Sequence, residues 1–260
     1  MDLGVRSKVA FITGGGEGIG RETALTLAAE GAHIVACDMD PAEAEKTAGM
    51  VRDLGVDSLW FGLDVTDRNQ VAEAVQKALS AFKSIDILIH VPGHGERKPF
   101  IEATQADWDS SVHLNLYGVL NSAAAVVRQM VTQNRGSMVF VVSDAGKIGE
   151  TNNCVYSAAK AGVIAFSKAL AKELGRNSVR VNCVSLSATN TPGAAKLKEV
   201  MAERFGKTVD ELEKAILKNY PLRRFGRTQD AANAICFLAS ERASWITGQA
   251  LSVNGGYCMV

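Results

Sequence analysis

The apolar run Val9-Ala10-Phe11-Ile12 leads straight into Thr13-Gly14-Gly15-Gly16-Glu17-Gly18-Ile19-Gly20. Ile19, Thr23 and Leu27 then follow at one-turn spacing. A strand that feeds a glycine turn and then a helix restricts the chain to few folds. Glycines permit the tight turn and let the backbone approach a phosphate, and the helix N-terminus offers free N–H groups to a pyrophosphate. Alone, such a turn can be only a tight corner. The strand–helix context and a carboxylate about twenty residues on give it meaning. That carboxylate is Asp38, which closes the next apolar run, Ile34-Val35-Ala36-Cys37. It is placed to accept hydrogen bonds from a ribose diol.

The rest of the chain repeats the alternation. β-rich runs fall at 8–13, 33–38, 57–63, 86–91, 137–143, 178–185 and 249–253. Helical stretches fall at about 18–30, 41–54, 67–82, 104–132, 155–174, 193–218 and 228–240. Such alternation predicts a parallel sheet with helices on both faces. Right-handed crossovers and the first glycine turn then favour an α/β, doubly wound Rossmann topology, in a single domain over 1–260. There is no repeat, low-complexity tract or linker. The segment 191–229 is a long amphipathic insertion with Val200, Phe205, Leu212, Ile216 and Leu217 as apolar anchors. On its own it reads as a peripheral helix pair.

Bulk properties exclude several functions. Twenty-eight basic residues balance twenty-eight acidic ones, so no global field attracts nucleic acid or an anionic membrane. No signal pattern and no apolar run near membrane-spanning length stands out. The five cysteines lie apart without metal-like spacing, which predicts free thiols in a reducing cytoplasm. The four histidines form no ligand-spaced cluster, and no metal is expected.

The chemistry-bearing residues are Ser143, Tyr156 and Lys160. Tyr156 and Lys160 are four apart, which puts both on one helix face. A free phenol ionises near pH ~10, and an adjacent cation favours the phenolate. Such a tyrosine can exchange a proton with an alcohol near neutral pH. Ser143 ends the apolar strand Met138-Val139-Phe140-Val141-Val142 and is placed to hold a substrate oxygen. The plainer reading is that Tyr–Lys pairs at this spacing are common on solvated helices. Cys154, two residues before Tyr156, reads as a small loop residue.

Taken together, these motifs resemble the short-chain dehydrogenase/reductase family. The shared features are the TGxxxGxG spacing, Asp64-Val65, and Ser143 thirteen residues before Tyr156. Asn115 in Leu114-Asn115-Leu116-Tyr117-Gly118 and the tail Ile246-Thr247-Gly248-Gln249 also match, so the likeness runs from about residue 7 to 256. The resemblance implies hydride transfer between a nicotinamide cofactor and a secondary alcohol or ketone. It implies that Tyr156 is the acid/base and that Lys160 lowers its pKa and bonds the nicotinamide ribose. Ser143 would polarise the substrate oxygen, and Asn115 would hold a water in a proton relay. Cofactor contacts would come from Gly14, Glu17, Gly18, Ile19, Gly20, Asp38, Asp64, Val65, Gly93, Tyr156, Lys160 and Thr191. The segment 191–229 would cover the substrate. The chain would form a homotetramer through the helices near 104–132 and 155–174, with Ala123, Ala124, Val127, Ala165 and Leu170 as examples, and through the segment near Val253.

Asp38 and Glu17 favour NAD, because a carboxylate bonds ribose hydroxyls but repels a 2′-phosphate. Arg21 is the only base near them in sequence, and Asp40-Pro41 is the better helix cap. Two segments depart from the family pattern: His90-Val91-Pro92-Gly93 stands for Asn-Asn-Ala-Gly, and Leu186-Ser187 for Pro-Gly. His90 reads as a buried, hydrogen-bonded residue, and Ser187 is expected to narrow the nicotinamide face. These departures are the support for an alternative, a catalytically weak NAD-binding sensor or scaffold. The substrate is a small molecule, with a hydroxyacyl thioester or a cyclic hydroxy compound in view. Pocket-facing candidates are His94, Glu96, Arg97, Asp144, Lys147, Glu150, Asn152 and Asn153. Arg97, Lys98 and Lys147 would converge on an anionic substrate, with Glu96, Asp144 and Glu150 opposing them.

Overall fold

Alternation of short apolar runs with longer amphipathic ones produces one seven-stranded parallel sheet, in a computed structural model describing residues 2–95, 97–204 and 206–260. Glu96 and Phe205 therefore lie outside the described residues. The sheet strands are β1 (Val9–Thr13), β2 (His33–Asp38), β3 (Ser58–Gly62), β4 (Ile87–His90), β5 (Gly136–Ser143), β6 (Val179–Leu186) and β9 (Ala250–Val253). A separate two-stranded ladder joins β7 (Thr189–Asn190) to β8 (Gly226–Arg227). The main order is β3-β2-β1-β4-β5-β6-β9. The chain winds outward from β1 to β3, then crosses back to place β4 beside β1. This reversal opens a crevice at the carboxyl ends of the strands, where doubly wound sheets bind ligands.

Helices cover both faces: α1 (Gly18–Ala29), α2 (Pro41–Asp53), α3 (Arg68–Phe82), α4 (Gln105–Val112), α5 (Gly118–Thr132), α6 (Ala145–Ile148), α7 (Cys154–Leu174), α8 (Pro192–Arg204), α9 (Val209–Leu217) and α10 (Thr228–Ala239). The two-residue period of a strand sends alternate side chains to opposite layers. Phe11, Val35, Leu88 and Phe140 pack with Val75, Val126 and Val163 on one side. Ile12, Ile34, Ile89 and Val139 pack with Leu27, Val51 and Ile235 on the other. Burial on both faces explains why these strands are nearly all apolar.

Three details differ from the sequence expectation. The stretch 104–132 is two helices joined by a π-helical turn, His113–Tyr117, rather than one continuous helix. The stretch 193–218 is also two helices. The second is α9, opened by a capping box in which Thr208 Oγ1 accepts the Glu211 amide at 3.2 Å and Glu211 accepts the Thr208 amide at 2.9 Å. The β7–β8 ladder, Thr189 with Gly226 and Asn190 with Arg227, clamps the two ends of this segment together. Among the described residues, Cys154–Asn177 is the one helical stretch long and apolar enough to cross a membrane, at mean hydropathy 1.2. Its Val163, Ile164, Ala171 and Leu174 are buried in the core against the sheet.

Candidate active site

A cavity of about 440 Å³ opens at the carboxyl ends of the strands, lined by Gly14, Glu17, Gly18, Ile19, Asp38, Asp64, Val65, Gly93, Ser143, Tyr156, Lys160 and Thr191 among others. Gly20 does not line it. A Cβ on Gly20 would stand 1.8 Å from the Gly14 carbonyl oxygen, so this glycine lets α1 pack closely against the turn. The start of α1 has no side-chain cap from Glu17 and no acidic residue in its first turn. Its free N–H groups and positive end suit a phosphate.

Asp38 ends β2 with Oδ2 accepting the Gly16 amide at 2.8 Å and Oδ1 accepting the Asp40 amide at 3.1 Å. Asp40 caps α2, accepting the Ala42 amide at 3.0 Å, as expected. Arg21 does not serve the crevice. It pairs with Glu43, donates to the Gly16 carbonyl, and reaches Thr47 Oγ1 at 2.9 Å. Asp64 Oδ1 accepts both the amide and the hydroxyl of Thr66 at 2.8 Å. Val65 is held from behind by Asn121 Nδ2, which donates to its carbonyl at 3.0 Å.

The floor is built around Gly93. A Cβ there would lie 2.6 Å from Lys160 Nζ and 2.9 Å from Asn115 Oδ1, so a larger residue would have to displace one of the two side chains. Asn115 is fully buried in the π turn, a feature that often marks a functional position. Its Nδ2 donates to the His94 carbonyl at 2.8 Å and to the Ser111 carbonyl at 2.9 Å, while Oδ1 accepts the His94 amide at 3.1 Å. Asn115 thus fixes the loop after β4. His90 is buried as expected, with Nδ1 within 3.0 Å of the Thr13 and Ser122 hydroxyls. Burial, and then the Lys160 charge, push its pKa down to about 3, so the ring stays neutral.

Tyr156 and Lys160 come together on α7 with Ser143 at the end of β5. Lys160 Nζ lies 5.8 Å from the Tyr156 ring centre and donates to the Val141 carbonyl at 3.1 Å. Burial lowers the Lys160 ammonium to about 8. The Tyr156 phenol is raised, not lowered. Burial outweighs the hydrogen bond with Ser143 and the Arg97 charge, which both act downward. Lys160 is not among the causes of that shift, which corrects the expectation that it depresses the phenol in this state.

The loop charges also differ from expectation. Lys147 turns away from the crevice and donates to Ser252 Oγ at 2.8 Å and to the Ala250 and Val260 carbonyls at 2.9 and 3.0 Å. Asp144 is buried, accepting from Ser185 at 2.7 Å and Asn254 at 2.6 Å. Lys98 pairs with Asp107 at 2.7 Å. Of the three bases, Arg97 is the one whose charge acts on Tyr156, and Glu150 lies 4.0 Å from the Arg97 guanidinium. The Lys98 amide donates to the Asn152 carbonyl at 2.7 Å, which ties the two loops together. Cys154 is exposed at the start of α7.

Ser187 does line the cavity, but its hydroxyl is engaged by Tyr220, whose oxygen also accepts the Ala188 amide at 3.1 Å. Tyr220 stacks on Tyr257 at 5.0 Å, and Tyr257 donates to Glu150 at 2.6 Å. Sequence reasoning missed Tyr220 and Tyr257. They stand 33 and 107 residues from these partners, beyond the reach of any local pattern.

The glycine turn, the strand-end acid and the Ser143, Tyr156 and Lys160 cluster now share one crevice. A family model described as Enoyl-(Acyl carrier protein) reductase matches residues 14–258. The chain belongs to the short-chain dehydrogenase/reductase family. It is 35% identical over 252 residues to 3-oxoacyl-acyl-carrier-protein reductase FabG of Thermotoga maritima, covering 97% of this chain and 98% of that protein. The FabG of Staphylococcus aureus strain Mu50 is 34% identical over 254 residues, covering 97% and 99%. Among solved structures, NAD+-bound xylitol dehydrogenase superposes with TM-score 0.92 at 30% identity, covering 97% of this chain and 99% of that one. A 7α-hydroxysteroid dehydrogenase complexed with NADH and 7-oxo glycochenodeoxycholic acid gives 0.90 at 30%, covering 98% and 96%. The chain is thus a short-chain dehydrogenase/reductase oxidoreductase with a nicotinamide-binding fold.

Proposed function

We propose that this protein is an NAD(H)-dependent oxidoreductase that interconverts a secondary alcohol and a ketone. The observation that carries the cofactor choice is Asp38, fixed by the Gly16 amide at the crevice edge while Arg21 is committed to Glu43. A carboxylate there suits a ribose diol and repels a 2′-phosphate. The cradle fits such a cofactor: the α1 N-terminus for the pyrophosphate, Asp64 and Val65 for the adenine, Lys160 for the ribose, and Thr191 for the carboxamide. When bound, the nicotinamide supplies or accepts the hydride.

The chain's own residues handle the oxygen and the proton. Ser143 Oγ and Tyr156 Oη are the donors for a substrate carbonyl. The raised Tyr156 pKa keeps the phenol protonated at neutral pH, so it serves as the acid in reduction. As negative charge develops on the oxygen, Tyr156 gives up its proton, and the Lys160 ammonium stabilises the phenolate left behind. Asn115 positions the floor of the site through His94. The segment 191–229, clamped by its β7–β8 ladder and by Tyr220, covers the substrate.

A homotetramer in the cytoplasm completes the reading. Five free cysteines, four of them buried, support a reducing compartment. Initial rates with NADH and NADPH on a panel of ketones test the proposal. Faster turnover with NADPH would reverse the cofactor assignment, and no turnover with either would favour the sensor or scaffold alternative.

A further inference from the structure

Ser187 lines the cavity together with Ser143, Tyr156 and Lys160, and its neighbour Leu186 accepts the amide of Asp144, the residue after Ser143, at 2.9 Å. The stretch that follows β6 is therefore wall at the reacting end of the crevice. Little regular structure holds it, since β6 stops at Leu186 and β7 is two residues long. What fixes it comes from the far end of the segment 191–229. Tyr220 Oη bonds the Ser187 hydroxyl and accepts the Ala188 amide at 3.1 Å, while the Gly226 amide donates to the Ala188 carbonyl at 3.1 Å. Both backbone polar groups of Ala188 thus find their partners in 220–226. Tyr220 itself is 4% exposed and does not line the cavity.

Counting protons gives the direction of these bonds. A phenol has one proton to donate. Tyr220 Oη accepts from Ala188, and among the described residues its other hydrogen-bond partner is Ser187 Oγ. A buried hydroxyl proton without an acceptor is costly, so Tyr220 donates to Ser187. One phenol oxygen thereby holds a side chain and a backbone amide on adjacent residues of the wall. The ring that carries this oxygen is itself fixed by packing. It stacks on Tyr257 at 5.0 Å, meets Phe225 edge-on at 6.4 Å, and sits against Gly255, where an added Cβ would lie 3.5 Å from it.

The geometry points to Tyr220 as a positioning residue: through Ser187 and Ala188 it sets the wall that receives the nicotinamide end of the cofactor, and so couples cofactor affinity to the fold of the segment 191–229. A binding site is only as well defined as the shell that supports it, and Tyr220 is that support for an otherwise irregular stretch. The pairing needs a hydroxyl at position 187, since a glycine there would offer the phenol no side-chain acceptor. This rests on the NAD(H)-dependent reading above, because the cofactor must fill that cavity.

The test is fluorescence titration of NADH, without substrate, on wild type, Tyr220→Phe, Ser187→Ala and the double variant. Tyr220→Phe keeps the ring and its stacking and removes the oxygen. It should raise Kd for NADH roughly 5- to 10-fold, the effect of a lost hydrogen bond that leaves a donor unpaired. Ser187→Ala should raise it about 3-fold. The double variant should bind no more weakly than Tyr220→Phe alone, because two changes that break one bond do not add. Tyr257→Phe is the control. It removes a hydroxyl from the same stack, the one that bonds Glu150, and should leave Kd within about twofold. Melting temperatures of the same samples separate positioning from stability. A lower melting temperature with unchanged Kd makes Tyr220 structural only and overturns the proposal. Additive losses in the double variant, or an equal loss in Tyr257→Phe, overturn it as well. Wild-type protein that binds neither NADH nor NADPH sinks the cofactor reading and this proposal together, whereas wild-type binding with unaffected variants sinks this proposal alone. Should Tyr220→Phe fail to fold, an unchanged Kd in Ser187→Ala overturns the proposal and a raised one upholds it.

Discussion

The Asp38 carboxylate accepts the Gly16 amide at 2.8 Å, across the gap between the end of β2 and the glycine turn. The contact is so close that a Cβ on Gly16 would meet the Asp38 side chain at 2.8 Å. The turn and the acid therefore hold each other in place, and the negative charge cannot swing away from an incoming ribose.

From this follows the cofactor preference. Asp38→Ala should raise KM for NADH by about 10-fold or more and narrow the gap to NADPH, because it removes both the hydroxyl acceptor and the repulsion. Arg21 should not compensate, since it is bound to Glu43 and Thr47. Initial-rate measurements with both cofactors check this. Unchanged discrimination in the variant would refute the role of Asp38.

Tyr156→Phe should lower kcat by roughly 10²- to 10⁴-fold, the range associated with a lost acid/base group. NAD(H) binding should be nearly unchanged, because the variant loses one hydroxyl and keeps the ring. Fluorescence titration of NADH alongside turnover separates the two effects. Near-normal turnover would refute the proton-transfer role.

Much of this was legible in the sequence, and the reason is periodicity. Strands buried on both faces read as unbroken apolar runs, and the glycine turn fixes its neighbours by local sterics. Asn115, Ser143, Tyr156 and Lys160 sit at short spacings within two elements and the strand between them. What was not legible depends on long-range contacts. Nothing near Lys147 says that it will reach the carbonyls of Ala250 and Val260, so its expected place at the pocket mouth was wrong. Nothing near Ser187 announces Tyr220. The break at His113–Tyr117 was hidden because the turn contains no glycine or proline to announce it. The Tyr156 shift escaped because adjacency to a cation is visible in sequence and burial is not.

Burial of Lys160 makes a stability prediction with a definite sign. Its ammonium falls to about 8 in the folded protein, while an unfolded lysine titrates near ~10.4. Between those values the unfolded chain binds more protons, so this group's contribution to stability rises with pH across the window and is least favourable below about 8. The cost at neutral pH is of order 3 kcal/mol. Lys160→Met should therefore gain in melting temperature relative to wild type at pH 7 and lose that relative gain as the pH approaches 10. Activity should be lost throughout. A difference in melting temperature that stays constant from pH 7 to 10 would show that the burial cost is not expressed.

The last prediction concerns assembly. Among the described residues β9 is an edge strand that pairs only with β6 in the sheet, and edges with apolar side chains invite a partner. Leu251 on that strand is 40% exposed, and Trp245 in the turn leading to it is 98% exposed. Met259 and Val260 at the C-terminus are also exposed, and Lys147 pins Val260 beside the strand. Exposed large apolar groups such as these mark interaction surfaces. The helix faces carry a second patch in Ala124 and Ala165, both exposed, whereas Ala123 is buried in the core and is removed from the expected set. Two distinct apolar surfaces are what a tetramer of paired dimers requires. Light scattering at micromolar concentration should give four copies. Trp245→Glu should reduce that to two without unfolding the protein, because the side chain touches little within one chain. A wild-type monomer would refute the tetramer, and an unchanged tetramer in the variant would remove Trp245 from the interface.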